Sequence, residues 1–121
     1  FQNKDEEALI LLVSITTEFP KHPLMDDILM VRAHIASKKK DYNETAMLYQ
    51  KVVNQYGDDV LADDALFNLA NINEVYFKNA EEAKRLYEQL IIKYPGSTYV
   101  NEARKNFRRL RGDKSNVEDG I

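Results

Sequence analysis

The side chains best suited to proton transfer or metal binding are two histidines, His22 and His34, and they stand twelve residues apart. A helical zinc site sets its imidazoles four apart on one face, and no His-x-x-x-His pair is present. His22 also lies beside Pro20 and Pro23, where the chain must turn, so both histidines read as surface residues. The doublets Asp26-Asp27, Asp58-Asp59 and Asp63-Asp64 could offer oxygens to calcium, but the ligand spacing and central glycine of an EF-hand loop are missing. Carboxylates so placed favour the positive ends of the helices they precede. Neither a Gly-rich phosphate loop nor a Gly-x-Ser-x-Gly elbow occurs. With no cysteine there is no disulfide framework or thiolate metal site. These residues predict no enzyme, no metal and no cofactor.

One cluster carries strong charge: Arg104, Lys105, Arg108, Arg109 and Arg111. It raises an alternative function, binding of nucleic acid or another anionic surface. Against it, cations are favourable at a helix C-terminus in any case, and Phe107 alone offers bases a ring to stack on. The whole chain has a formal net charge of −3, from 17 basic and 20 acidic residues, so no nucleic acid is expected as partner. A hydrophobic content of 44% over 121 residues suffices for one helical domain, and no apolar run is long enough to span a membrane. Without an opening Met or signal peptide, the sequence reads as a segment excised from a longer protein.

The elements that would position these residues are copies of one another. Ala83, Leu86, Tyr87, Leu90, Tyr94 and Ala103 each lie 38 residues after Thr45, Leu48, Tyr49, Val52, Tyr56 and Ala65. A further 37 residues back stand Ala8, Leu11, Leu12, Ile15, Phe19 and Ile28. Within each copy the apolar residues recur at three and four, the period of one helix face. A fixed period of this length marks a solenoid of stacked helix pairs. The reading is an all-α fold, a right-handed α-solenoid of antiparallel helix pairs with about six helices. Its boundaries are a repeat domain over 1–111, with a partial first unit at 4–19, units at about 24–56 and 60–94, and a capping helix at 97–110. A polar tail follows over 112–121. Asn3 with Glu6, Asp41 with Glu44, and Asn79 with Glu82 supply helix-opening caps, and Ser97 is placed to cap the last helix. Helix four is expected over about 60–77, and the lysines at 38–40 suit the negative end of the helix they close. Ala33 and Ala70, facing Thr45 and Ala83, allow close helix approach, with Tyr49 and Tyr87 filling the space beside them.

Leu69-Ala70, Ala83, Tyr87 and Pro95 make one unit resemble a tetratricopeptide repeat. Ala33, Thr45, Tyr49 and Gly57 follow the same pattern in the unit before, and Ala8, Leu12 and Pro20 in a partial first copy. The connection KYPGSTYVNEA is similar to that of the bacterial cell-envelope subset, among them outer-membrane assembly lipoproteins and Tol-Pal-associated proteins. Composition leaves the compartment open, and only this resemblance points to periplasm or cell envelope. The sequence departs from the pattern at Ala36 and Asn73, where the family often has Tyr, and at Arg108, where it has a small residue. The resemblance implies a protein-interaction scaffold that binds a peptide or protein partner in a concave groove. Carried over residue by residue, the groove positions are Asp27, Met30, Val31 and His34, then Asp64, Phe67, Asn68 and Asn71, then Glu102, Lys105, Asn106 and Arg109. Met30 and His34 stand where a C-terminal-carboxylate clamp would need Lys and Asn, and only Asn68 fits that subtype. A second surface is expected at the N-terminal edge. Leu9, Ile10 and Val13 are apolar where the register-equivalent Lys84, Arg85 and Glu88 are charged, so an upstream repeat or a second copy of the chain is expected to cover them.

Overall fold

The computed structural model describes residues 25–55 and 60–112, with Glu7, Ile10 and Leu11. The described residues form five helices and no strand: α1 (Met25–Lys38), α2 (Tyr42–Gln55), α3 (Ala62–Val75), α4 (Ala80–Lys93) and α5 (Val100–Arg111). Glu7, Ile10 and Leu11 are helical as well, where a first helix was expected. The other residues of the expected first helix, including Leu9 and Val13, and the tail at 113–121 lie outside the described residues. The chain divides into two compact units, one up to Ala62 and one from Asp63 onward.

In the first unit α1 packs against α2. Ile28, Leu29, Ala33, Ile35 and Ala36 are buried on one helix, and Thr45, Leu48, Tyr49, Val52 and Val53 on the other. Ala33 and Thr45 are both fully enclosed, as small residues at a close helix crossing should be. The Thr45 hydroxyl donates to the Asp41 carbonyl at 2.8 Å, so its burial leaves no polar group unsatisfied. Asp41 opens α2 by accepting from the Glu44 amide at 3.2 Å. Leu11 departs from expectation. Its copies Leu48 and Leu86 are enclosed within helix pairs, whereas Leu11 is 61% exposed beside Ile10 at 69%.

The second unit holds α3, α4 and α5. Ala65, Leu66, Leu69, Ala70 and Ile72 of α3 are buried, as are Ala83, Leu86, Tyr87 and Leu90 of α4. Full enclosure of Leu66, Leu86 and Leu90 stabilises the fold by about 1.5–3 kcal/mol each. Asn73, standing where a tyrosine would be usual, is buried too, and its amide donates to the Leu69 carbonyl at 3.0 Å. Helix α4 is capped by Asn79, which accepts from the Glu82 amide at 3.2 Å.

Two helix ends differ from the sequence reading. Helix α3 stops at Val75 and not at 77, because the Tyr76 and Phe77 amides both turn back to the Ile72 carbonyl and Lys78 takes a left-handed φ of 55°. A left-handed lysine also ends α1, with a different hydrogen-bond closure. Lys40, 38 residues earlier, has φ 62°, and the Asp41 amide reaches the Ala36 carbonyl at 2.9 Å in a Schellman-type closure. Lys40 thus serves as a left-handed terminator, a role its charge alone does not reveal. At the other end, α5 starts at Val100 with no side-chain cap, so Ser97 does not occupy the cap position expected of it. Its hydroxyl accepts from the Tyr99 amide at 3.0 Å and donates to Asp63 at 2.6 Å. The turn over Pro95–Tyr99 places Ser97 two residues before the N-cap residue Tyr99, and within reach of α3.

Candidate functional site

The row expected on α3, Asp64, Phe67, Asn68 and Asn71, falls on one helix face and stays part-exposed along its length. It is held firmly. The Asn68 amide donates to the Asp64 side chain at 2.7 Å and to the Asp64 carbonyl at 2.8 Å. Tyr99, from the turn before α5, donates its hydroxyl to the same Asp64 carboxylate at 3.1 Å. The ring of Tyr99 stacks on Phe67, with centroids 4.6 Å apart and planes inclined by 20°. On its other side Phe67 meets Tyr87 edge-on at 5.9 Å. Phe67 is therefore the middle ring of three, a geometry in which each contact contributes about 0.5–1.5 kcal/mol beyond simple burial.

Further along α3 the row continues into a charged network. The buried Tyr87 phenol donates to Glu74 at 3.0 Å, with the Asn71 side-chain oxygen 3.2 Å away. Glu74 pairs with Arg109 of α5, whose guanidinium also donates to Asn106 at 3.1 Å. The Glu74 side chain is only 18% exposed and that of Arg109 is 53% exposed, so the carboxylate is enclosed and the cation faces water. The Arg109 hydrogen bond holds the Glu74 carboxyl below its usual range, against the opposing effect of burial and with help from the Tyr87 hydroxyl. Burial, then the nearby Glu74 charge, pushes the Tyr87 phenol well above its usual value. Glu74 raises the Arg109 guanidinium in turn.

Of the residues predicted on this unit, Asp64, Phe67 and Asn68 meet around Tyr99, and Asn71, Asn106 and Arg109 meet around Glu74 and Tyr87. Glu102 and Lys105 are exposed on α5. On the other unit, Met30 is half-buried, and Asp27, Val31 and His34 are exposed on α1, Val31 at 48%. Sequence reasoning missed Glu74 and Tyr99. Glu74 was within reach, since it extends the spacing of Asp64, Phe67 and Asn71 by one more step of three. Tyr99 was not, because it sits in a turn with no periodicity.

The five cations of α5 do not form one patch. Arg109 is committed to Glu74, and Arg111 lies over the Phe107 ring at 5.1 Å. Arg104, Lys105 and Arg108 are exposed.

Residues 64–97, spanning α3, α4 and the turn after them, match the family model for the tetratricopeptide repeat. This stretch contains the Asp64–Asn71 row and the Tyr87 network. No curated protein matches the chain. The all-helical fold agrees with the match, and no described helix is long and apolar enough to cross a membrane.

Proposed function

We propose that this chain is a protein-interaction scaffold, one segment of a longer repeat array, and that its second unit binds a peptide segment of a partner protein. The site comprises Asp64, Phe67, Asn68 and Asn71 of α3 with Glu102, Lys105 and Arg109 of α5, while Asn106, also expected there, is buried and accepts from Arg109. The observation that carries this reading is that the α3 row is fixed by hydrogen bonds and ring stacking yet remains part-exposed. Side chains already ordered lose little freedom when a ligand arrives, which favours binding. Asn68 and Asn71 offer donors and acceptors suited to a peptide backbone, and Lys105 suits an acidic or mixed sequence. On the first unit, Asp27, Met30, Val31 and His34 present an accessible face of the same register, where Met30 adapts to varied apolar side chains. The long turn over Pro95–Tyr99 supports likeness to the cell-envelope subset of the repeat, and with it a periplasmic setting.

Selection from a displayed random-peptide library, followed by anisotropy titration of the selected peptide, tests the site. Asn71→Ala and Lys105→Glu should each weaken binding several-fold. Glu88→Lys, on the exposed face of α4, should change it less than twofold. Binding that survives the first two substitutions and fails on the third would sink the reading.

A further inference from the structure

Helices α3 and α5 are the same element 38 residues apart, and the sharpest difference in their burial falls in one sector. Ala62 and Ala65 of α3 correspond to Val100 and Ala103 of α5, and all four are buried. Leu66, Leu69, Ala70 and Asn73 of α3 are buried as well. Their counterparts on α5 are Arg104, Phe107, Arg108 and Arg111, of which the three arginines are exposed and Phe107 is half-buried. The repeat thus keeps the position of a covered helix face and changes its chemistry from apolar to cationic. No ion pair joins an acidic side chain to Arg104 or Arg108 among the described residues, and α5 carries five cations against one carboxylate, Glu102. The rest of the chain holds 12 cations against 19 carboxylates, so α5 stands out in an otherwise acidic molecule.

We infer that the Arg104, Phe107, Arg108 and Arg111 face of α5 docks an acidic helical segment of a partner protein, its carboxylates opposite the arginines. The spacing fits a helix. Arg104, Arg108 and Arg111 rise along about 10 Å, two turns, so glutamates three and four apart on a facing helix can meet them in register. Phe107 supplies an apolar centre, with the Arg111 guanidinium already over its ring. A polynucleotide or a lipid surface fits less well, because each spreads its charge far beyond one helix stripe. At 100° per residue this stripe lies roughly opposite Glu102, Lys105 and Arg109 on α5, so it is distinct from the peptide site proposed above.

The test titrates the full chain into a dye-labelled helical peptide with glutamates at three- and four-residue spacing around one leucine. The same peptide with lysines for glutamates, a dT oligonucleotide and phosphatidylserine vesicles serve as further arms. The acidic peptide should bind, the lysine peptide should not, and the paired change Arg104→Glu with Arg108→Glu should weaken binding at least tenfold. Asn71→Ala should leave it within twofold. Helical content by circular dichroism verifies the fold, and Arg104→Gln with Arg108→Gln replaces the first pair should that pair unfold. No binding of the acidic peptide, or equal binding of the two peptides, overturns the proposal. So does tighter arginine-dependent binding of the oligonucleotide or vesicles. Loss with Asn71→Ala but not with the arginine pair overturns it too, while leaving the other site intact.

Discussion

Phe67 is where a binding anchor and a structural ring coincide. Stacked on Tyr99 and edge-on to Tyr87, it is expected to cost about 2 kcal/mol of stability when changed to Ala, which chemical denaturation measures directly. A weakened complex in that variant must be corrected for the fraction unfolded. Tyr87→Phe removes one hydroxyl and leaves Glu74 with a lost donor, so a destabilisation of about 1 kcal/mol is expected in the same measurement. The Glu74 carboxyl is held below its unfolded value, so its contribution is complete above that value and is lost as pH falls through the depressed folded one. Denaturation midpoints should therefore drop on acidification, and less so in Glu74→Gln. The α3 row was picked out by carrying over the groove positions of the tetratricopeptide resemblance, and its spacing puts the four residues on one helix face. Their partners were not legible, because a bond such as Tyr99 to Asp64 spans 35 positions and leaves no trace in local pattern.

At the scale of the helix, the apolar sets of α2 to α4 followed directly from the three-and-four spacing, and the Asp41 and Asn79 caps from their chemistry. Helix ends were harder to read. Lys40 and Lys78 hold left-handed backbone angles, and nothing in a lysine announces a conformation that usually falls to glycine. Their common cause is positional. Each must reverse the chain one residue before a capping side chain. Replacing Lys78 with Gly should relieve that conformation and raise the unfolding free energy by up to about 1 kcal/mol, visible as a higher melting temperature. The converse holds at Gly112, whose φ of 91° closes α5: Gly112→Ala is expected to lower stability by about 1 kcal/mol although no neighbour crowds the added methyl group. A melting temperature unchanged by both substitutions would show that these angles carry no strain.

Across the molecule, the 38-residue period made the all-α repeat fold legible, because Thr45, Leu48, Tyr49 and Val52 and their copies Ala83, Leu86, Tyr87 and Leu90 are buried alike. The N-terminal edge remains a proposal built on Leu9, Ile10 and Val13, of which Ile10 is seen to be exposed. Sedimentation should reveal self-association at micromolar concentration, weakened by Leu9→Lys with Val13→Glu; a monomer at every concentration would rule out pairing through this edge. The polar tail at 113–121 should be dispensable, its deletion leaving the melting temperature within a degree or so. A last consequence is optical. The chain has seven tyrosines and no tryptophan, so its ultraviolet emission is tyrosine emission. Two of these phenols, Tyr87 and Tyr99, donate to carboxylates, and a carboxylate that can take the excited-state proton quenches the ring beside it. Tyrosine emission is therefore expected to rise as these bonds break, and emission followed through a denaturant titration checks whether the unlabelled protein reports the opening of that unit.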